Sequence, residues 1–225
     1  MQRADLRELH HSARAQCGNG WLRAALPDEV WQPLRSILLP LTDSTLTKSA
    51  AWVAHNREGE QASDAPMLQL KRNILKTREL HQVVSAVQVA AGEISCPCCH
   101  FPIHRHHLKN ADVNAIGPGA ALWPHVDEVV EGGACALLLL VRAAVQGGDL
   151  RVETSGNVEE VAWQTCGEDA SRVKYRMRDT ESTGLFREGE YVVVHGEKHL
   201  HEVTRVAGNV VRVSLAMTLV CPRME

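Results

Sequence analysis

Apolar and polar positions along this chain change their period near residue 92. Ahead of that point the spacing is helical. Val30, Trp31, Leu34, Ile37 and Leu38 recur on one face, and Asp28 can cap their first turn. Pro40 is expected to end this helix, since proline has no N–H to give to the ladder. Thr42 or Asp43 then opens a second helix running towards His55, and the polar stretch 57–66 reads as a loop. A third helix is predicted from Met67 to about Ala91. Its stripe is Leu68, Leu70, Ile74, Leu75, Leu80, Val83, Val84 and Val87, with charges mostly on the other face and Gly92 as its stop.

Beyond Gly92 the runs become short and β-rich, divided by glycine pairs. They are Val113–Ile116, Ala134–Val141, Leu150–Thr154, Val158–Trp163, Tyr191–His195, Leu200–Val206 and Val210–Val220. No regular helix lies between them, which argues for an antiparallel sandwich or barrel rather than a parallel α/β sheet. The expected fold class is α+β, mainly β. A helical scaffold (1–92) packs on one face of the sheet formed by a β core (93–225), in one compact unit. The polar segment Thr154–Phe186 is long for a connection, so part of it is expected to form a lid or substrate-binding hairpin.

Bulk properties narrow the function classes. The 225 residues suffice for one domain with a full core. A net charge of −3 gives no overall basic field for nucleic acid or an anionic membrane. The longest apolar run, Ala134–Val145, is interrupted by Arg142 and is too short to span a bilayer. The start, Met1–Arg14, is charged, so no secretory leader is expected there, and the seven cysteines are odd in number. An intracellular chain with reduced thiols is expected.

Candidate chemistry begins at Trp123-Pro124-His125-Val126-Asp127. In an extended segment residues two apart share a face, so His125 and Asp127 can aim an imidazole and a carboxylate at one point. A third ligand is sought among His195, His199 and His201. Gly208-Asn209 signals a two-residue hairpin. Placed there, it sets Arg205 opposite Arg212, Val203 opposite Ser214 and His201 opposite Ala216. His201, Val203, Arg205, Arg212 and Ser214 then share one face. Two histidines and one carboxylate make the facial triad that suits non-haem Fe(II) and leaves coordination positions open. Along such a strand Arg212 lies roughly 13 Å from His201, a gap that an arginine and a five-carbon diacid can bridge. The planar guanidinium suits a carboxylate, and Ser214 can add a hydroxyl.

These stretches, His125-Val-Asp127, Gly147-Gly148-Asp149-Leu150, Gly189 leading to His201-Glu-Val203, and Arg212-Val-Ser214, resemble the 2-oxoglutarate/Fe(II)-dependent oxygenase superfamily. The likeness spans about Val113 to Val220 and is nearest to the prolyl-4-hydroxylase-like branch. It implies a double-stranded β-helix (jelly roll), iron at His125, Asp127 and His201, and 2-oxoglutarate at Arg212 and Ser214. It also implies hydroxylation of an unactivated C–H bond, with release of succinate and CO2. Asp127 stands where halogenating members carry a small residue, so a hydroxylation or related oxidation is expected. Three positions depart from that branch's pattern: Arg205 replaces the usual proline, Arg212 the usual lysine and Leu122 a usual tyrosine. Thr218 stands where nucleic-acid demethylases of the superfamily carry a second arginine, which argues against the demethylase branch. The expected partners are O2 and a small-molecule or peptide substrate, not nucleic acid. Desaturation or cyclisation at the same centre is the enzymatic alternative; a non-catalytic jelly-roll binding module is the alternative of another class.

Three further features have two readings each. Arg205 either holds an anionic group of the substrate or pairs with Glu202 or Glu197. Trp123 either packs in the core or stacks on substrate. The cluster Cys96-Pro97-Cys98-Cys99-His100, followed by His104, His106 and His107, is either a structural zinc site or a loop of reduced thiols. The zinc ligands would be Cys96, Cys99, His104 and His107, with a gap between the pairs shorter than in ordinary fingers.

Overall fold

A computed structural model describes residues 21–48, 67–70, 78–92, 94–127, 130–153, 159–165, 171–176, 180–182 and 187–222. The first elements are β1 (Trp21–Ala25), α1 (Asp28–Lys48), β2 (Met67–Leu70) and α2 (Arg78–Ala90), and a short 3-10 turn covers Ile103–Arg105. The β-rich part follows with β3 (His107–Ile116), β4 (Leu122–His125), β5 (Ala134–Arg142), β6 (Gln146–Gly147) and β7 (Leu150–Glu153). Next come β8 (Glu159–Thr165), β9 (Ser171–Arg176), β10 (Thr180–Ser182) and β11 (Glu190–Val194). The last are β12 (His201–Val203), β13 (Val206–Ala207) and β14 (Arg212–Val220).

Two antiparallel sheets carry the fold. Six strands run in the order β1-β11-β5-β14-β3-β2, and four in the order β10-β7-β12-β4. In sequence the long strands alternate between the sheets: β3, β5, β11 and β14 in the larger, β4, β7 and β12 in the smaller. That alternation winds the chain as a jelly roll.

Period-two patterning explains the two cores. In β14, Val213, Leu215, Met217 and Leu219 join one apolar cluster with Leu137, Leu139 and Val141 of β5 and Tyr191 and Val193 of β11. Trp31, Leu34 and Leu38 of α1 and Val84 and Val87 of α2 fill the same cluster, so the helices cover the outer face of the larger sheet. The alternate residues Ala136, Leu140, Val192 and Val194 point the other way. They meet Leu150, Val152 and Val203 of the smaller sheet. Every second side chain of the larger sheet thus faces the helices, and the rest face the space between the sheets.

The N-terminal part departs from the expected helices in three ways. Trp21–Ala25 pairs with β11, and Met67–Leu70 pairs with Val113–Ile116 of β3, so both edges of the larger sheet come from this supposedly helical part. Pairing to an open sheet edge outweighs local helical spacing, as strand formation is decided by its partners. The third expected helix therefore begins as a strand and is helical only from Arg78 among the described residues. Pro40 does not stop α1, which contains Pro33 and Pro40, both exposed. Beyond it the Arg142 guanidinium donates to both carboxylate oxygens of Asp43 at 2.9 and 2.8 Å, tying the later turns to the end of β5. The stretch 57–66, the expected extension to His55, Cys17 and Cys166 lie outside the described residues.

Gly208-Asn209 does not close a hairpin between β12 and β14. β12 pairs on both edges with β4 and β7, and β14 with β3 and β5. β13 pairs with β6. The turn, with Gly208 at φ +88°, hands the chain from one sheet to the other. Within the polar segment, β8 and β9 form a two-stranded antiparallel ladder.

Candidate metal and co-substrate site

His125 ends β4 and His201 begins β12, and the two are direct cross-strand partners. Their ring centroids lie 4.3 Å apart. Asp127 follows two residues after His125, where its backbone N–H donates to the Gly196 carbonyl at 2.9 Å. One Asp127 carboxylate oxygen, Oδ1, lies 3.6 Å from His201 Nε2 and 4.0 Å from His125 Nε2. One ligand atom from each of the three residues falls within 4.8 Å of the others, so together they could hold one metal ion. The donor set is two imidazoles and a carboxylate, which matches non-haem iron and leaves positions open.

Neighbouring groups fix this geometry. The His201 Nδ1–H donates to the His199 carbonyl at 3.0 Å, which leaves Nε2 facing Asp127. Burial pushes the His201 imidazole down, but the Asp127 carboxylate beside it more than offsets that and holds it above the usual value. Burial pushes the Asp127 carboxyl up, and the His201 hydrogen bond with both imidazoles outweighs it, leaving the group below its usual range. His199 is turned to the Glu153 carbonyl, and His195 lies 3.2 Å from the Cys98 sulfur.

A cavity of about 320 Å³ lies between the sheets. The smaller sheet contributes His125 and His201 to its lining, with Asp127 from the segment just after β4, and the larger contributes Arg212, Ser214 and Asn114. Arg212 is 2% exposed. Its Nε donates to the Gly148 carbonyl at 2.8 Å and its Nη1 to Ser214 Oγ at 3.0 Å. Burial holds its guanidinium down to about 10, with Asp149 pulling it back up, so it is cationic at neutral pH. Among the described residues no carboxylate forms an ion pair with it.

The pair Gly147-Gly148 shapes this anchor. Gly148 sits at φ +73°, and a Cβ there would lie 2.9 Å from Arg212 Cδ. The glycine thus supplies both the carbonyl that holds the guanidinium and the room for its stem.

Arg205 does not reach the cavity. It is exposed and absent from the lining. The break between β12 and β13 removes it from the ladder whose alternation was expected to turn it inward. Trp123 lies in β4, but its side chain is outside the described residues. His104 and His107 are exposed, and His104 Nδ1 lies 2.7 Å from the Gly92 carbonyl. The expected zinc quartet of Cys96, Cys99, His104 and His107 is therefore not brought together. Sequence reasoning also passed over Asn114, whose Oδ1 is buried in the cavity wall with no hydrogen-bond partner among the described residues. Its signal was present: it alternates with Val113 and Ala115 as a polar residue on an inward face. Gly196 was passed over as well, and only the folded contact with Asp127 shows its role.

No protein-family model matches the chain, and no curated protein matches it. Solved structures do. The non-haem α-ketoglutarate-dependent epimerase SnoN of nogalamycin biosynthesis is 14% identical, with a TM-score of 0.59 over 97% of this chain and 82% of the other. The carbocyclase SnoK of the same biosynthesis, also non-haem and α-ketoglutarate-dependent, is 11% identical at a TM-score of 0.54, covering 93% and 82%. A prolyl hydroxylase from Trichoplax adhaerens, solved with a hypoxia-inducible-factor peptide fragment, is 12% identical at 0.53, covering 98% and 94%. These likenesses establish the fold as the jelly roll shared by these α-ketoglutarate-dependent non-haem iron enzymes and the prolyl hydroxylase. Among the described residues no helix is long and apolar enough to cross a membrane.

Proposed function

We propose that this chain is an Fe(II)/2-oxoglutarate-dependent dioxygenase that oxidises an unactivated C–H bond of a small molecule or peptide. The observation that carries the reading is Arg212. A buried guanidinium without a carboxylate ion pair is costly; Arg212 has none among the described residues, and it lines the same cavity as a two-histidine, one-carboxylate cluster. A dianion that bridges the two supplies the missing charge, and 2-oxoglutarate is such a dianion.

In this reading His125, Asp127 and His201 hold the iron. Arg212 binds the far carboxylate with Ser214 beside it, and the Gly148 carbonyl keeps the fork aimed. Bound iron with 2-oxoglutarate and O2 supplies the oxidising chemistry, giving succinate, CO2 and an oxidised substrate. Leu122, Leu138, Leu150 and Val203 line the cavity and keep water from the reacting region. SnoN is an epimerase, SnoK a carbocyclase and the Trichoplax protein a prolyl hydroxylase, so epimerisation, ring closure and hydroxylation occur on this one fold. The placement of the substrate's C–H bond selects among them here. An intact ligand set beside a buried guanidinium that has no carboxylate ion pair among the described residues favours an enzyme over a binding module that merely kept the fold.

The test is anaerobic addition of 2-oxoglutarate to the Fe(II) protein, followed by O2. A visible charge-transfer band of the chelate, and succinate released on aeration even without substrate, are expected. Absence of both would refute the reading. A substrate screen for a gain of one oxygen, a loss of two hydrogens, or inverted configuration at unchanged mass then identifies the reaction.

A further inference from the structure

A second group of metal-binding side chains lies on the other side of the larger sheet. Cys96, Cys99, His106 and Cys221 each place one ligand atom within 4.8 Å of all the others. Cys96 is fully buried, and His106 and Cys221 are each 4% exposed. We propose that these four residues bind a structural zinc ion as a closed three-sulfur, one-nitrogen site, separate from the His125, Asp127 and His201 cluster. The inference does not depend on the oxygenase reading.

The chain is built around these ligands. Cys96-Pro97-Cys98-Cys99 is a tight loop in which the His100 N–H donates to the Cys96 carbonyl at 2.9 Å and the Cys96 N–H to the Phe101 carbonyl at 2.8 Å. Closing it puts His100 at φ 63°, the one left-handed non-glycine residue among those described. Such a conformation costs energy and persists where its surroundings demand it. The Cys98 N–H points at the Cys96 sulfur at 3.4 Å, as a backbone donor does towards a thiolate. His106 is oriented like a metal ligand: Nδ1–H donates to the Pro102 carbonyl at 3.1 Å, and Nε2 lies 3.3 Å from the Cys99 sulfur. The fourth ligand comes from the far end of the chain, where the Cys221 N–H donates to the Gly133 carbonyl at 2.9 Å.

The size is right for zinc. A tetrahedron with metal–sulfur bonds of ~2.3 Å has edges of roughly 3.8 Å, so atoms lying within 4.8 Å of one another need draw in by about 1 Å at most. Three sulfurs and one imidazole is a donor set typical of structural zinc, and four protein ligands leave no position for substrate. The ion would join the loop ahead of β3 to the end of β14, beside the start of β5. Cys98, next to Cys99, touches His195 and so continues this brace towards the loop that carries Gly196.

The experiment uses the full chain carrying His125→Ala and Asp127→Ala, which removes the other metal cluster. Zinc per chain is measured after expression with zinc and purification under reducing conditions. One zinc per chain is expected, with an X-ray absorption shell of three sulfurs and one nitrogen. Cobalt(II) exchanged into the site should show sulfur-to-metal charge transfer and tetrahedral bands. Introducing Cys99→Ser, His106→Ala or Cys221→Ser should abolish stoichiometric zinc, whereas His104→Ala, His107→Ala and Cys135→Ala should keep it. If the ligand variants fail to fold, the absorption shell in the folded double variant decides. Zinc-free folded protein, a shell without sulfur, zinc retained in Cys99→Ser or Cys221→Ser, or a disulfide among these cysteines in freshly reduced protein would each overturn the proposal.

Discussion

Gly196→Ala tests how Asp127 is held. An alanine Cβ at this position would lie 1.7 Å from Asp127 Oδ2, 2.6 Å from Cγ and 3.1 Å from Cβ. Real Cβ contacts stay beyond about 3 Å, so the carboxylate must retreat by roughly 1 Å or more, well outside the ~0.2 Å tolerance of a metal ligand. Rotating the carboxylate alone does not relieve the contact, because Cγ is struck too. Gly196 is not among the glycines at positive φ, so alanine fits the backbone, and the loop keeps the bond from the Val130 N–H to the Glu197 carboxylate at 2.7 Å. The expected result is a native circular dichroism spectrum with Mn(II) or Fe(II) affinity lowered by about 10- to 100-fold, which is ~1.4–2.8 kcal/mol. Titration of the apo protein followed by electron paramagnetic resonance measures it. The loss should also be non-additive with Asp127→Ala, since both act through one carboxylate. Unchanged metal affinity, or fully additive losses, would show that Gly196 does not act through Asp127.

Arg212→Ala should weaken 2-oxoglutarate binding by ~30- to several-thousand-fold, because truncating one partner of a desolvated charge pair costs about 2–5 kcal/mol. Metal affinity should stay as it was, which paired titrations of metal and co-substrate will check. Arg205→Ala, at an exposed position outside the cavity, should leave both affinities unchanged in the same titrations. Asn114→Ala should raise the KM for 2-oxoglutarate or for substrate while sparing metal binding, since its amide meets the cavity and no ligand. Leu38→Ala, at a fully buried position of α1, should destabilise the fold by about 2–5 kcal/mol in urea unfolding and leave metal affinity in the folded state intact.

The β core was legible because its strands are short β-rich runs divided by glycine pairs, a pattern that needs only neighbours in sequence to be seen. Val213, Leu215 and Met217 against Arg212, Ser214 and Ala216 announce a strand with two different faces. The edge strands Trp21–Ala25 and Met67–Leu70 were not legible, since what makes them strands is a partner across the sheet. The route to Arg212 is instructive. The expected hairpin does not exist, yet Arg212 and His201 do line one cavity, because inward faces of two opposed sheets meet in the middle. A sequence pattern reports which face a side chain takes within its strand, but not which strand stands opposite. The same limit explains the cysteine cluster. Cys96 and Cys99 are close in sequence, whereas Cys221 arrives only by folding, and the tidy spacing of His104 and His107 singled out histidines that solvent claims.

The division of the site between sheets has a mechanical consequence. His125 and His201 belong to the smaller sheet and Arg212 to the larger, so a diacid held at both ends acts as a strut across the sandwich. Its binding energy then becomes cohesion of the whole barrel, worth about 2.7 kcal/mol when the ligand stands at a hundred times its dissociation constant. A 2-oxo acid lacking the second carboxylate would grip one wall and leave the other unheld. On the proposed reading, filling the cavity and stiffening its walls would be one event, with the diacid forming part of the enclosure offered to the substrate.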